Sequence, residues 1–220
     1  ASFIKGREFK IDPSIDDGYL LRMAFCNFTR LVRGGVRLRS FVLVGRNVHL
    51  FSKQNLKFGR SLSIGDECII DALSHFGVVL GDNVSIQRRT TIECTGSIRF
   101  LGKGLVIGNN VGLGANSFLG CAGGIEIGDN SIVGNYVSFH AENHNYSHRT
   151  IPIREQGVSH VGIKVGRGCW IGAKATILDG AVIEDGCIIA AGAVVTEGVY
   201  RADSIYGGVP AKLIRHRFDL

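Results

Sequence analysis

From Val165 the chain reads VGRGCW, IGAKAT, ILDGAV, IEDGCI and IAAGAV, five consecutive hexapeptides that each open on an aliphatic residue. The same frame recurs as FGRSLS and IGDECI from Phe58, LGDNVS from Leu80, IGNNVG and LGANSF from Ile107, and IGDNSI and VGNYVS from Ile127. It slips near residues 72–79, 98–106 and 119–126, and breaks across 140–164. A period of six fits neither the 3.6-residue helix nor the two-residue alternation of a half-buried strand. It fits short strands joined by regular bends. The first residue of each unit points inward; the fifth, small or β-branched at Val84, Thr90, Val111, Ser131, Cys169 and Ala175, fits beneath the neighbouring strand. Second-place glycines such as Gly59, Gly108 and Gly166, and the Asp-Asn and Asp-Gly pairs, are expected where bends need positive φ or a local side-chain hydrogen bond. Three units per turn make an 18-residue coil, which stacks Cys169 and Cys187 in successive coils on one face. One coil cannot bury its apolar row alone, so the coils stack into a solenoid. The expected fold class is all-β, a parallel β-helix over 46–200 with an inserted loop at 140–164. An N-terminal cap segment, 1–45, and a C-terminal tail, 201–220, flank it.

Glycine, 31 of 220 residues, is in excess because of the bends; no G-X-Y period is present, which excludes a collagen-like chain. A composition 45% hydrophobic and 20% charged excludes a disordered one. No apolar run approaches the ~20 residues that span a bilayer, and no signal-peptide pattern opens the chain. Six cysteines without C-x-x-C or zinc-finger spacing are expected as free thiols in a reducing, cytoplasmic setting. The net charge of +6 is uneven: residues 1–60 hold 12 Lys/Arg against 4 Asp/Glu, and the remainder is slightly acidic. Residues 14–33 place Ile15, Tyr19, Leu20, Met23, Phe28, Leu31 and Val32 at helical spacing behind Asp16 and Asp17, with Arg22, Arg30, Arg33, Arg37 and Arg39 along or after them. Such a helix caps the open end of the solenoid, or lies as a basic amphipathic helix on an anionic membrane surface.

Solenoid cores are inert, so chemistry is expected in what interrupts them. The break at 140–164 gathers His140, His144, His148 and His160 beside Glu142, Asn143 and Tyr146. Strand-like flanks and Pro152 argue against a helix there. Imidazole near neutral pH can take a proton from an attacking hydroxyl or amine. Three histidines can instead hold zinc, but His49 and His75 lie too far back in the regular frame to converge with the loop. The base is the favoured reading, and no metal is expected.

The hexapeptide series resembles the left-handed β-helix acyltransferases. The segment ENHNYSHRTIPIREQG, followed by CWIGAKATIL, IAAGAVVT and GGVPAKLIR, resembles their maltose/galactoside and polysaccharide O-acetyltransferase branch over about residues 58–217. The resemblance implies left-handedness, a homotrimer, and direct transfer of an acetyl group from acetyl-CoA to a hydroxyl. It implies His144 as the general base and Asn116, in GANSFLG, as an oxyanion or acceptor contact. Ala173, Ala191 and Thr196 match positions whose backbone lines the pantetheine arm. Lys212 and Arg215 match cations that meet the nucleotide phosphates, and Trp170 a tryptophan beside the acyl pocket. Glu197 stands where the family commonly has Lys, which removes one cationic contact.

Residues 1–57 do not resemble the helical cap of the maltose enzymes. The basic N-terminal portion suits a sugar nucleotide, a lipid-linked glycan or an anionic membrane surface, and no nucleic acid is expected. The expected activity is O-acetylation of a sugar or glycan hydroxyl in surface-polysaccharide assembly. The rivals are a non-catalytic scaffold of the same fold and a zinc-dependent carbonic anhydrase, which needs three convergent histidines.

Overall fold

The computed structural model describes residues 11–219; the first ten residues of the expected 1–45 segment lie outside them. After helix α1 (Asp17–Leu38) the chain winds as short strands into three sheets of nine, seven and seven strands. We call them faces A, B and C; they open with Leu43–Val44, His49–Phe51 and Leu56–Phe58. Each solenoid strand pairs in parallel with its counterpart one coil on, as in the ladder Ile132, Trp170, Ile188 on face A. The result is a left-handed parallel β-helix.

The hexad positions behave as their residue types dictate. First-place Ile171 and Ile189 and fifth-place Ala175 and Ala193 are all fully buried, forming one aliphatic column inside the prism. Cys169 and Cys187 stack one coil apart, next to the paired Trp170 and Ile188, and burial pushes the Cys169 thiol up to about 11.

On face A only the step from Trp170 to Ile188 has the expected 18 residues, matched by Thr176 to Val194 on face B and Lys164 to Val182 on face C. The steps from Ser63 to Ser85, Ser85 to Gly112 and Ile132 to Trp170 take 22, 27 and 38 residues. All the surplus sits at one corner. Four residues always separate a face A strand from the following face B strand, as at 45–48, 114–117 and 190–193. Between faces C and A the same four recur, as at 59–62 and 166–169, except for three at 201–203. From B to C the connection runs from two residues at 179–180 to eleven at 94–104 and 22 at 141–162. Every slip in the hexad frame is therefore a variation of the BC corner.

The second-place glycines do not supply the positive φ of the bends, contrary to the expectation from the sequence. Positive φ falls on the fourth place of the hexad, at Asn83, Asn110, Asn116, Asn130, Lys174 and Gly186, and not on second-place Gly108 or Gly166. Those glycines are needed for close approach. The third-place amides of Asn109 and Arg167 donate across them to Asp129 and Asp185 of the next coil, at 2.6 and 2.7 Å. The hydrogen bond is between coils, not local. A Cβ on Gly166 would fall on the Asp185 carboxylate and within 2.6 Å of its backbone nitrogen.

α1 starts where Asp16 accepts from the Tyr19 amide at 2.9 Å and ends at Arg39, which takes the left-handed conformation at φ 52°. It runs past the expected residue 33 because Gly34, its one buried residue, lets it cross the Val42 carbonyl. In the ladder each face A carbonyl accepts from the preceding coil, as Ile64 does from the Gly45 amide, and the first coil has none before it. Arg33 Nε donates to the Val44 carbonyl at 3.0 Å and Arg37 Nη1 to that of Val48. The helix thus caps the open end, while Leu21, Phe25, Phe28, Val32 and Val36 form an exposed apolar stripe on its opposite side. No helix among the described residues is long and apolar enough to cross a membrane.

Two measurements check this packing. Gly166→Ala should lower unfolding stability by about 1–3 kcal/mol, the cost of overpacking. Gly112→Ala, where an added Cβ meets only Ser85 Oγ at 3.5 Å, should stay within about 0.5 kcal/mol of the parent. Equal losses would contradict the close-approach role. Only Cys26 among the six thiols is exposed, so one equivalent should react rapidly with an aromatic disulfide in the native protein and six after unfolding. A second fast thiol would contradict the buried stack.

Candidate active site

The 22-residue connection 141–162 leaves the BC corner as an arm. It is not helical. Asn143–His144 pairs antiparallel with Val158–Ser159, and the Asn145 amide continues the pairing to the Gly157 carbonyl at 3.0 Å. Gln156 ties the tip: its side chain accepts from the His148 amide and donates to the carbonyls of His148 and Ile151, at 2.7–3.0 Å.

The arm is fixed at its root by residues that the hexad pattern does not mark. His160 Nε2 lies 2.9 Å from Glu142 Oε2, joining the outgoing and returning segments. Buried Asp179 accepts from the amides of Val161 and Gly162 at 2.9 and 2.7 Å, where the chain turns back at φ 105°. Asp179 occupies a corner shortened to two residues, and that shortening was the available signal that its side chain serves a neighbour. His160 is thereby a root residue of the arm and His148 belongs to its tip.

Between the arm and face B lies a cavity of about 270 Å³ lined by Glu93, Phe118, His140, Glu142 and His144. His144 is exposed and its ring makes no hydrogen bond among the described residues. The His140 ring lies against Phe118, with centroids 5.5 Å apart, and burial there pushes its pKa below the ordinary value of 6.5. Two imidazoles and two carboxylates converge here, one carboxylate already engaged by His160. The arrangement provides an accessible lone pair for proton abstraction beside a shallow apolar floor. Among the described residues no group of three or more His, Cys, Asp or Glu side chains is disposed to hold a metal ion.

The remaining expected site residues fall on other parts of the prism. Asn116 is a fourth-place corner residue between faces A and B with φ 57°, in one column with Tyr136 and Lys174, so the turn alone accounts for an asparagine there. Ala173 and Ala191 occupy the same AB edge two and three coils further on, and their amides have no intramolecular partner among the described residues. Trp170 is half-exposed on face A. The tail strand Lys212–His216 pairs antiparallel with Ser204–Gly207, which sets Arg215 opposite Ile205, in line with Ile188 and Trp170, and Lys212 opposite Gly207. Small side chains along that edge, open amides and two tail cations fit a thin pantetheine arm with phosphates at its end. Thr196 does not share this edge. It lies at the BC corner, and its amide and carbonyl are both taken by the Tyr200 hydroxyl, at 3.0 and 3.1 Å. Within one protomer face B separates His144 from the AB edge.

Comparison with known proteins places this scaffold. The family model described as bacterial transferase hexapeptide (six repeats) matches residues 162–197, and that of the hexapeptide repeat of succinyl-transferase matches 61–87 and 104–137. The curated relative "Probable acetyltransferase Rv3034c" of Mycobacterium tuberculosis is 28% identical over 203 residues, 90% of this chain. The chain spans 58% of that relative's length. Among solved structures, AntD, an N-acyltransferase from Bacillus cereus in complex with dTDP and 3-hydroxybutyryl-CoA, superposes with a TM-score of 0.54 at 22% identity, covering 84% of this chain and 88% of that one. The hexapeptide-repeat acetyltransferase VCA0836 of Vibrio cholerae, complexed with acetyl coenzyme A, superposes with a TM-score of 0.50 at 20% identity, covering 75% and 72%. By its repeats and its fold the chain is similar to the hexapeptide-repeat acetyltransferases.

Proposed function

We propose that the protein is an acetyl-CoA-dependent O-acetyltransferase of the maltose/galactoside and polysaccharide branch, acting on a hydroxyl of a sugar nucleotide or lipid-linked glycan in surface-polysaccharide assembly. The observation that carries this reading is the arm at the BC corner, which sets the unpartnered His144 ring over a cavity. His144 takes the acceptor hydroxyl proton as the oxygen bonds to the acyl carbon; the carbon–sulfur bond breaks, and the proton passes from the imidazolium to the departing thiolate. Ala173 and Ala191 seat the pantetheine arm, Lys212 and Arg215 face the phosphates, and Asn116, one coil after Arg88 on the same edge, is the oxyanion or acceptor contact.

These groups lie on opposite edges of face B, so a complete site needs the BC edge of one copy against the AB edge of the next. That contact is heterologous, and it closes into a ring when three prisms share an axis. A homotrimer follows as part of the proposal. AntD, structures of which hold dTDP or dTDP-4-amino-4,6-dideoxyglucose, supports a sugar-nucleotide acceptor by likeness of fold. The exposed stripe of α1, flanked by arginines, supports peripheral contact with an anionic membrane surface on the cytoplasmic side.

The test is thiol release from acetyl-CoA across hydroxyl- and amine-bearing sugar acceptors. His144→Ala should lose at least about a hundredfold in kcat/KM, the scale of a general base. Activity within threefold of the parent would contradict the assignment, and an amine-only acceptor range would make the enzyme an N-acyltransferase. A second prediction concerns His140. Its folded pKa lies below 6.5, so the unfolded chain binds the extra proton first, and stability present above about pH 6.5 is lost as the pH falls toward the folded value. His140→Gln should flatten the dependence of the melting temperature on pH in that window; an unchanged slope would contradict the partial desolvation of the ring against Phe118.

A further inference from the structure

A cleft of about 860 Å³ lies between α1 and the AB corners that the helix overlies. Arg22, Arg30 and Arg33 line it from the helix and Arg46 and Arg88 from the solenoid, against one carboxylate, Asp66. That carboxylate is already occupied. It accepts from the Arg46 amide at 2.9 Å and lies 3.2 Å from the Arg46 guanidinium. Arg33 is committed to the Val44 carbonyl. Arg30 Nη2 donates to Ser63 Oγ and the Ile64 carbonyl, but its Nε is buried with no partner. The guanidiniums of Arg22 and Arg88 make no hydrogen bond or ion pair among the described residues.

Five guanidiniums around one neutralised carboxylate repel one another, and an orphaned buried donor costs free energy. An anion relieves both. The guanidinium fork matches phosphate oxygens two at a time, and several forks on one cleft suit a multiply charged group with many acceptor oxygens. The volume suits a molecule of nucleotide size rather than a lone ion. The position is also informative. Ala115 and Asn135 close the cleft, Asn116 follows Ala115 in the chain, and Ala173 continues the same column, its amide beside Gly134.

We infer that this cleft binds the diphosphate of the acyl acceptor, with Arg22, Arg30 and Arg88 as its free donors. Acceptor and acyl donor are then laid end to end along the AB edge. Naming the ligand as the acceptor rests on the acyltransferase reading; binding of a diphosphate does not.

The side chains of Arg22 and Arg88 hold no hydrogen bond or ion pair among the described residues, so R22Q/R88Q removes ligand donors without removing structural ones. Titration calorimetry with UDP and with inorganic pyrophosphate should show binding to the parent that weakens as salt rises. The double variant should bind at least about tenfold more weakly, with CoA affinity and melting temperature unchanged. Cys26 also lines the cleft, so bound pyrophosphate should slow its alkylation. A nucleotide-linked source is indicated if UDP binds more tightly than pyrophosphate. A lipid-linked one is indicated if vesicles doped with a polyprenyl diphosphate bind and pyrophosphate displaces them. The inference is overturned if the parent binds none of these probes, or if R22Q/R88Q binds them as the parent does. Thiol release is read separately: diphosphate binding without it sinks the acyl-transfer reading and leaves the cleft.

Discussion

Two of the three corners of the prism keep a length of four residues, save for three at 201–203 before the last strand of the stack. At each of them the fourth place of the hexad takes the left-handed conformation, and a second-place glycine often admits the next coil. One inserted residue would shift the ladder on two faces and turn an aliphatic row outward. The BC corner carries no such column, so loops of any length leave from it. The proposed placement of chemistry follows: His144 projects from the corner that carries the arm, while the AB edge offers the small side chains and open amides of Ala173 and Ala191.

The inter-coil contacts that hold the corners are individually modest. A third-place amide donating to the carboxylate one coil on, as from Arg46 to Asp66, Arg60 to Asp82 and Arg167 to Asp185, repeats along the stack. The arginine caps of α1 end the same stack by meeting the carbonyls that a further coil would otherwise take. Stability in such a solenoid is nearly nearest-neighbour, so the capping helix and the tail strand matter beyond their size.

Much of this was legible in the order of residues because a solenoid repeats its environment. The alternation of large and small inward side chains, the coil length near Cys169 and Cys187, and the arm at 140–164 all follow from the hexad. What stayed hidden depends on contacts between distant coils. Asp179 looks like any turn aspartate until the Val161 and Gly162 amides are seen to converge on it. Glu142 and His160 are eighteen residues apart and meet only because the arm folds back. The role of the second-place glycines stays hidden because a bend glycine and a close-approach glycine look identical in one chain. Thr196 reads as part of the Ala173 and Ala191 track, yet it sits a corner away with its backbone occupied by Tyr200.

The division of the proposed site between two edges of one prism is the claim on which the mechanism stands. It is tested most directly by co-expressing two inactive variants, His144→Ala and Ala191→Trp, the second blocking the track for the acyl donor. If the imidazole of one copy serves the AB edge of the next, mixed trimers should recover about a third of parental activity, because one of the three contacts in each pairs an intact arm with an intact edge. Mixed trimers that remain as inactive as either variant alone would show that each copy carries its own complete site, and would contradict this division.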